Sequence, residues 1–186
     1  MEINEVISKT ESQMQKSLEV SEQHLSKIRT GRASASLLDD VKVNAYGTPS
    51  PINQTASVSA PDARTLLIQP WDKSLLSEIE KAIMASDLGF NPQNDGQIIR
   101  IPIPPLTEER RKEFVKLAKK NTEDIKIAIR NIRRDNIEVL RKAEKNKELS
   151  EDFRKQGEDE IQKLTDKYIA LVDKQLEKKE KELMEE

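Results

Sequence analysis

All eight prolines of the 186-residue chain fall between Pro49 and Pro105. Proline removes a backbone donor and breaks helix interiors. Residues 1–48 and 106–186 can therefore form long uninterrupted helices, whereas the middle of the chain cannot. This asymmetry sets a boundary on each side of a central region.

Outside the proline zone, apolar residues recur at helical spacing. In the first segment Ile7, Met14 and Ile28 share one heptad position, with Ser21 as the gap, and Leu18 and Leu25 share another. This spacing predicts a helix from Asn4 to Arg29. In the second segment Val115, Ala118, Thr122, Ile125, Ile129, Ile132, Asn136 and Val139 alternate steps of three and four. Thr107 is a good N-cap there, and Glu108 and Glu109 suit the first turn. A helix from Glu108 to Lys145 would be about 57 Å long at 1.5 Å per residue. The third segment begins at Ser150, another N-cap followed by two acids. It continues through Ile161, Leu164, Tyr168, Leu171, Val172, Leu176 and Leu183. The short link "NKELS" at Asn146–Ser150 makes the last two helices antiparallel neighbours. One amphipathic helix cannot bury its stripe alone, so three stripes imply a three-helix bundle. A coiled-coil dimer is the competing arrangement. The wide stripe of the third helix, with Ile169, Val172 and Leu176 beside the heptad line, favours two neighbours per helix.

The central region reads differently. "VKVNAY", "ASVSA", "RTLLIQP" and "QIIRIPI" are short, β-branched and partly alternating, which predicts strands. Gly47 with Pro49 and Pro51 makes turns. Asp72 caps a helix from Lys73 to Ser86 that Gly89 ends, and Trp71 anchors a core. The expected fold class is α+β in two domains. Residues 1–29 and 106–186 form the bundle, and residues 30–105 are a small domain inserted between its first two helices. Two crossings join them near residues 29–33 and 101–105, with Thr30, Gly31, Arg32, Pro102, Ile103, Pro104 and Pro105 as hinge candidates. A hinge of limited freedom and a rigidly docked insert fit this composition equally.

Enzyme motifs are absent. No HExxH, GxGxxG, P-loop or GxSxG pattern occurs, and "PQNDGQ" lacks the spacing of a calcium loop. The single histidine, His24, stands among polar helix neighbours, and the chain has no cysteine. The acid clusters look like solvated helix faces. No enzyme, metal or cofactor is expected. The polar N-terminus is neither a signal nor a transit peptide. No apolar run approaches the ~20 residues that span a bilayer, so no membrane partner is expected either. A reducing cytosol is the simplest location.

Charge is the remaining signal. The net charge is only -2, so any basic surface must be local. Residues 108–145 carry 13 basic and 8 acidic side chains, a net of +5, and residues 146–186 carry 9 and 13, a net of -4. With Ile129 at heptad position a, Lys112, Lys119, Lys126 and Arg133 occupy e, Lys116 and Arg130 occupy b, and Lys120, Arg134 and Arg141 occupy f. These positions form one arc of roughly 100°, and Arg130 and Arg133 lie outside the apolar seam. Like-charged neighbours four apart, such as Lys126, Arg130 and Arg134, cost ~0.2–0.5 kcal/mol per pair. Two readings compete equally. The cations pair with acids of the third helix, or they face outward and bind phosphates, which suits the planar fork of arginine. No aromatic is interleaved, so base stacking is not expected. Such a surface would read the backbone and shape of a folded RNA.

At this point the residues resemble a known family. "KIRTGRAS" at Lys27–Ser34, "YGTP" at Tyr46–Pro49, "KAIMASDLG" at Lys81–Gly89, "PPLTEERRK" at Pro104–Lys112, "IRNIRRD" at Ile129–Asp135 and "QKLTDKYI" at Gln162–Ile169 are similar to bacterial ribosome recycling factor. The resemblance implies an L-shaped monomer of roughly transfer-RNA size, with a three-helix bundle as the long arm and a β/α/β sandwich as the short one. It implies a cytoplasmic factor that binds the post-termination ribosome across the aminoacyl and peptidyl sites. With elongation factor G and GTP, such a factor splits the subunits and frees messenger RNA and deacylated transfer RNA; the GTPase is the partner. It further implies that basic residues of the second bundle helix contact large-subunit ribosomal RNA. The matching positions are Arg130 and Arg133, with Arg134 beside them, Arg110 and Arg111 near the hinge, and Arg29 in the first crossing. Lys126 on the same arc completes the candidate set. Many members have proline after "RAS" where this chain has Ala35, which bears on hinge stiffness, and often an aromatic where it has Ala45. The alternative from another class is a coiled-coil adaptor that binds no RNA.

Overall fold

The computed structural model describes residues 2–185. The chain divides into two compact units, Met1–Ile28 with Glu109–Glu186, and Arg29–Glu108.

The first unit consists of three helices: α1 (Ile3–Ser26), α3 (Glu108–Lys145) and α4 (Glu151–Met184). The second long helix has the predicted limits. The third starts where Ser150 accepts a hydrogen bond from the Phe153 amide, as an N-cap should. The first ends at Ser26, a turn earlier than the spacing predicts. Met14 of α1, Ile125 and Ile129 of α3, and Tyr168 and Val172 of α4 form one core layer. Val6, Leu140 and Ile161 form another. Both layers draw on all three helices, so each helix has two neighbours. Going from Val6 to Met14, the partners on α3 run backwards and those on α4 run forwards. α3 is therefore antiparallel to both of the others.

The buried stripe of α3 departs from the heptad. Its members are Ala118, Thr122, Ile125, Ile129, Asn136, Leu140 and Ala143. Leu140 is fully buried, while Val139, the heptad's choice, is 36% exposed. The pairs Ala118–Asn136, Thr122–Leu140 and Ile125–Ala143 are each eighteen residues apart, five turns at about 3.6 residues per turn. A straight helix drifts against a seven-residue repeat by about 20° each time, and that drift moves burial from Val139 to Leu140. α4 obeys the same rule. Ile161 and Lys179 are eighteen residues apart, as are Thr165 and Leu183, and all four are buried.

Several polar groups in this core are paired, while Ser21 Oγ and Thr122 Oγ1 are enclosed without a hydrogen-bond partner. Thr10 and Thr165 donate back to the carbonyls of Val6 and Ile161 at 2.7 and 2.8 Å. Asn136 Nδ2 donates to Gln13 Oε1 at 2.9 Å and to the Ile132 carbonyl at 2.8 Å. A slipped register would cost that buried amide its Gln13 acceptor, so it favours one alignment of α1 on α3. Of the glycines, Gly157 has the tightest surroundings. A Cβ there would lie 2.7 Å from Leu140 Cδ1 and 3.4 Å from Ile3 Cγ2.

The second unit holds a hairpin of β1 (Lys42–Ala45) and β2 (Thr48–Pro51). It also holds an antiparallel sheet built from β3 (Ala56–Asp62), β4 (Thr65–Pro70), β5 (Gln93–Asn94) and β6 (Ile99–Pro102), in the order β3-β4-β6-β5. Helix α2 (Leu76–Ala85) buries Leu76, Ile79 and Ile83 against Val43, Leu66, Ile68, Ile99 and Ile101. The class is α+β, as the sequence predicts.

Three local expectations are corrected. Pro49 and Pro51 lie in β2, opposite Asn44 and Lys42, rather than in turns. A two-stranded hairpin has free edges where missing amide donors are tolerated. Trp71 is 67% exposed and anchors no core. β4 alternates, with Leu66, Ile68 and Pro70 inward, so Trp71 falls on the outward phase. α2 begins after a 3-10 turn, Lys73–Leu75, capped by Asp72, and stops at Ala85. Gly89 takes φ +70° in the loop beyond it.

Two expectations follow for the bundle. Gly157→Val should lower stability by about 1–3 kcal/mol through overpacking against Leu140, read by urea melting with an unchanged slope. Burial holds the Lys179 ammonium below the ordinary lysine value of 10.5, against the opposing pull of Glu182. A depressed native pKa means that the unfolded chain binds the proton more readily. Stability then rises with pH across the alkaline window below 10.5 and is lost as pH falls through the native value. Lys179→Met should stabilise the bundle by about 1 kcal/mol at neutral pH, and the pH-dependent difference from wild type should vanish above pH ~10.5.

Candidate nucleic-acid interface

The basic arc of α3 separates into two kinds of cation. At position e, Lys126 Nζ lies 2.5 Å from Asp173 of α4 with its side chain 19% exposed, and Lys119 lies 3.8 Å from Glu180. Arg133, half-buried, donates from Nη1 to Gln162 Oε1 at 2.8 Å. The next member of this line is Leu140, fully buried. Position e therefore faces α4, and the placement of Arg133 outside the seam is corrected. The e line turns inward through the same drift that buries Leu140. At f, Arg141 also crosses to α4, reaching Glu158 at 2.9 Å. Arg154 of α4 binds both Glu144 and Glu158, closing a charged cluster at that end.

Positions b and f elsewhere point to solvent. Arg130 is exposed and meets Glu123 at 3.3 Å, one heptad back on its own helix. Arg134 is exposed and meets its neighbour Asp135 at 3.4 Å. Lys116 and Lys120 are exposed as well. Exposed pairs of this kind contribute ~0–1 kcal/mol, so they hold these cations only weakly. Ile127, 48% exposed, and Leu117, 43% exposed, also lie on the solvent side of α3. Sequence reasoning did not single them out; f-position spacing with Lys120 and Arg134 would have found Ile127.

The other candidates are dispersed. Arg110 is exposed in the first turn of α3 with Glu113 at 3.3 Å. Arg111 is half-buried and its Nε is enclosed without a hydrogen-bond partner. Arg29 belongs to the second unit, where its guanidinium lies 5.2 Å from the centre of the buried Phe90 ring.

Of the hinge candidates, Pro102 pairs with Thr65 in the sheet. Ile103 is 3% exposed and donates to the Arg64 carbonyl at 2.7 Å. The first crossing is tied to the same loop, where Ala33 donates to Ala63 at 2.7 Å. Thr30, Arg32, Pro104 and Pro105 lie outside those ties. Gly31 takes φ +81°, and a Cβ there would lie 3.2 Å from Leu106 Cγ. Among the described residues no cluster of three His, Cys, Asp or Glu could hold a metal ion, and no helix is long and apolar enough to cross a membrane.

A family model described as Ribosome recycling factor matches residues 21–184. The chain is 58% identical over 180 residues to the ribosome-recycling factor of Oleidesulfovibrio alaskensis, covering 97% of this chain and 98% of that one. It is 55% identical over 181 residues to that of Geobacillus kaustophilus, with 97% and 98% covered. A solution structure of the ribosome recycling factor matches with a TM-score of 0.79 at 40% identity, over 99% of this chain and 98% of that one. The T. thermophilus ribosome recycling factor, in models with E. coli elongation factor G bound to the E. coli post-termination complex, matches with a TM-score of 0.67 at 51% identity over the whole of both chains. On this agreement, over nearly its entire length, the chain belongs to the ribosome recycling factor family.

Proposed function

We propose that this chain is a ribosome recycling factor that binds the post-termination ribosome through large-subunit ribosomal RNA. Together with elongation factor G and GTP it splits the subunits, freeing messenger RNA and deacylated transfer RNA. It works as a cytoplasmic monomer, and GTP hydrolysis belongs to the partner. Its relatives carry the name of a translation factor, and one similar structure is a recycling factor with elongation factor G on a post-termination complex.

The observation that carries the RNA-binding part is the division of cations on α3. Those facing α4 are paired across the bundle, whereas Arg130 and Arg134 stand exposed with only weak partners on their own helix. Bundle stability does not need a second row of like charges on one face. Phosphate binding does, because each guanidinium makes a charge-assisted, bidentate contact. Arg133 sits between the two rows and serves both. Arg110, Arg111 and Arg29 extend the RNA-binding set as secondary contacts, whereas Lys126, expected in that set from the sequence, is paired with Asp173 and belongs to the bundle. The hinge works through the crossings outside the sheet ties, Thr30–Arg32 and Pro104–Pro105. Within them Gly31 supplies a backbone angle that other residues rarely adopt.

Arg130→Ala and Arg134→Ala should melt within about 0.5 kcal/mol of wild type. Each should weaken ribosome binding by roughly one to two decades, for a lost contact of ~1.5–3 kcal/mol. Each should also flatten the salt dependence of co-sedimentation. Arg133→Ala should show the same binding loss together with about 1 kcal/mol of destabilisation from its vacated Gln162. Intact affinity in all three would overturn the assignment and leave the arginines as bundle and surface groups. Gly31→Val, strained at φ +81° and crowding Leu106, should retain ribosome binding but slow subunit splitting. A normal splitting rate would remove the hinge from the mechanism.

A further inference from the structure

Two positions one heptad apart on α3 and α4 bring opposite charges together, and the next step does not. Lys119 pairs with Glu180, and one heptad on, Lys126 pairs with Asp173. The next step on each helix gives Arg133 and Asp166. Further along, Arg141 again finds an acid in Glu158. Arg133 and Asp166 do not pair directly; among the described residues Arg133 makes no ion pair. Instead Arg133 Nη1 donates to Gln162 Oε1 at 2.8 Å, and Gln162 Nε2 donates to Asp166 Oδ1 at 2.9 Å. The amide of Gln162, one turn before Asp166, is interposed between the cation and the acid that the register would supply.

The chemistry of the amide explains the choice. Its carbonyl accepts from a guanidinium and its NH2 donates to a carboxylate, so one side chain satisfies both neighbours in a single orientation. A direct ion pair would also fix the arginine, but it would cancel the charge on which phosphate binding depends. Arg133 Nε is enclosed without a hydrogen-bond partner. Among the described residues the Gln162 bond is the one polar tether of this guanidinium, which has five N–H donors in all.

We infer that Gln162, itself held by Asp166, is a positioning residue for Arg133: it orients the guanidinium at the α3–α4 edge without neutralising it, ready for an RNA phosphate. The inference rests on the proposed role of Arg133 in ribosomal RNA binding. It gives a use to the "QKLTD" stretch at Gln162–Asp166, where glutamine and aspartate stand four apart on one helix face. Gln162 and Asp166 need not touch RNA themselves.

The test is a double-mutant cycle in binding to purified post-termination ribosomes, well below the melting temperature. Gln162→Met keeps the length and packing of the side chain and removes the acceptor. In the wild-type background it should weaken binding roughly three- to tenfold, as losing a hydrogen bond to a charged group does. In the Arg133→Ala background it should cause no further loss, because nothing remains to position. Asp166→Asn should give a smaller loss with the same dependence on Arg133. If Arg133→Ala weakens binding but Gln162→Met does not, the positioning role is wrong and the RNA-binding reading stands. Equal losses from Gln162→Met in both backgrounds overturn the positioning role too, since Gln162 would then act by another route. If Arg133→Ala itself leaves affinity unchanged, the RNA-binding reading of Arg133 falls and takes this one with it. A purely structural bond would lower the melting temperature in Gln162→Met without moving the affinity, and that result also overturns the inference.

Discussion

The bundle depends on α3 being wedged between two antiparallel neighbours along a straight line. A helix with one neighbour needs a narrow seam, and a seven-residue repeat supplies it by supercoiling. α3 has two neighbours, and its burial repeats over eighteen residues instead. The stripe is broad enough to take in a, d and, toward the C-terminal end, e. This fixes which long side chains reach α4 and which reach solvent. The same eighteen-residue rule places Lys179 of α4 on the face of Ile161, so a charge is buried by geometry rather than by pairing. Its ion pair with Glu182, at 3.7 Å, offsets the desolvation only in part.

Within that frame the core is not uniformly apolar. Asn136 ties α3 to Gln13 of α1, and the Tyr168 hydroxyl of α4 reaches Glu11 and Gln15 at 3.3 and 3.2 Å. Burial and the negative charge of Glu11 hold the Tyr168 phenol above its ordinary pKa, so it remains a neutral donor. These bonds contribute modest net energy, but any shifted alignment would cost the buried Asn136 amide and Tyr168 hydroxyl their partners on α1. Leucine and isoleucine tolerate sliding; a paired amide does not. The apolar layers supply the stability of the bundle, and the few polar pairs select its alignment.

The elements were legible because proline and periodicity act locally. The limits of α3, the Ser150 cap and the strands β1, β3, β4 and β6 all follow from short-range pattern. What failed was phase. Trp71, expected to anchor a core, stands outside because the alternation of Leu66, Ile68 and Pro70 continues through it. Val139 was chosen by a heptad that a straight helix does not keep. Arg133 was assigned to solvent on the same heptad, although Leu140, seven residues on, marks the e line as inward. Lys179 shows its burial only through the eighteen-residue spacing from Ile161, and Gly157 only through the packing of Leu140 and Ile3 around it. The family resemblance carried identity, but not which arginine is held and which stands free of α4.

That distinction bears on how a basic helix in a bundle is to be read. Net charge on a helix face cannot separate cations that hold a neighbour from cations that await an anion, since both raise the same count. The partner across the seam does separate them. Where the register supplies a carboxylate, as for Lys126 and Arg141, the cation is neutralised and belongs to the bundle. Where only same-helix acids are within reach on exposed turns, as for Arg130 and Arg134, solvent screening leaves the charge available to a polyanion. Arg133 is a third case, ordered by a neutral amide although an acid lies one turn further along the partner helix. A carboxylate there would suit a bundle that served only itself. An amide suits a bundle that must hold a guanidinium still and leave it charged.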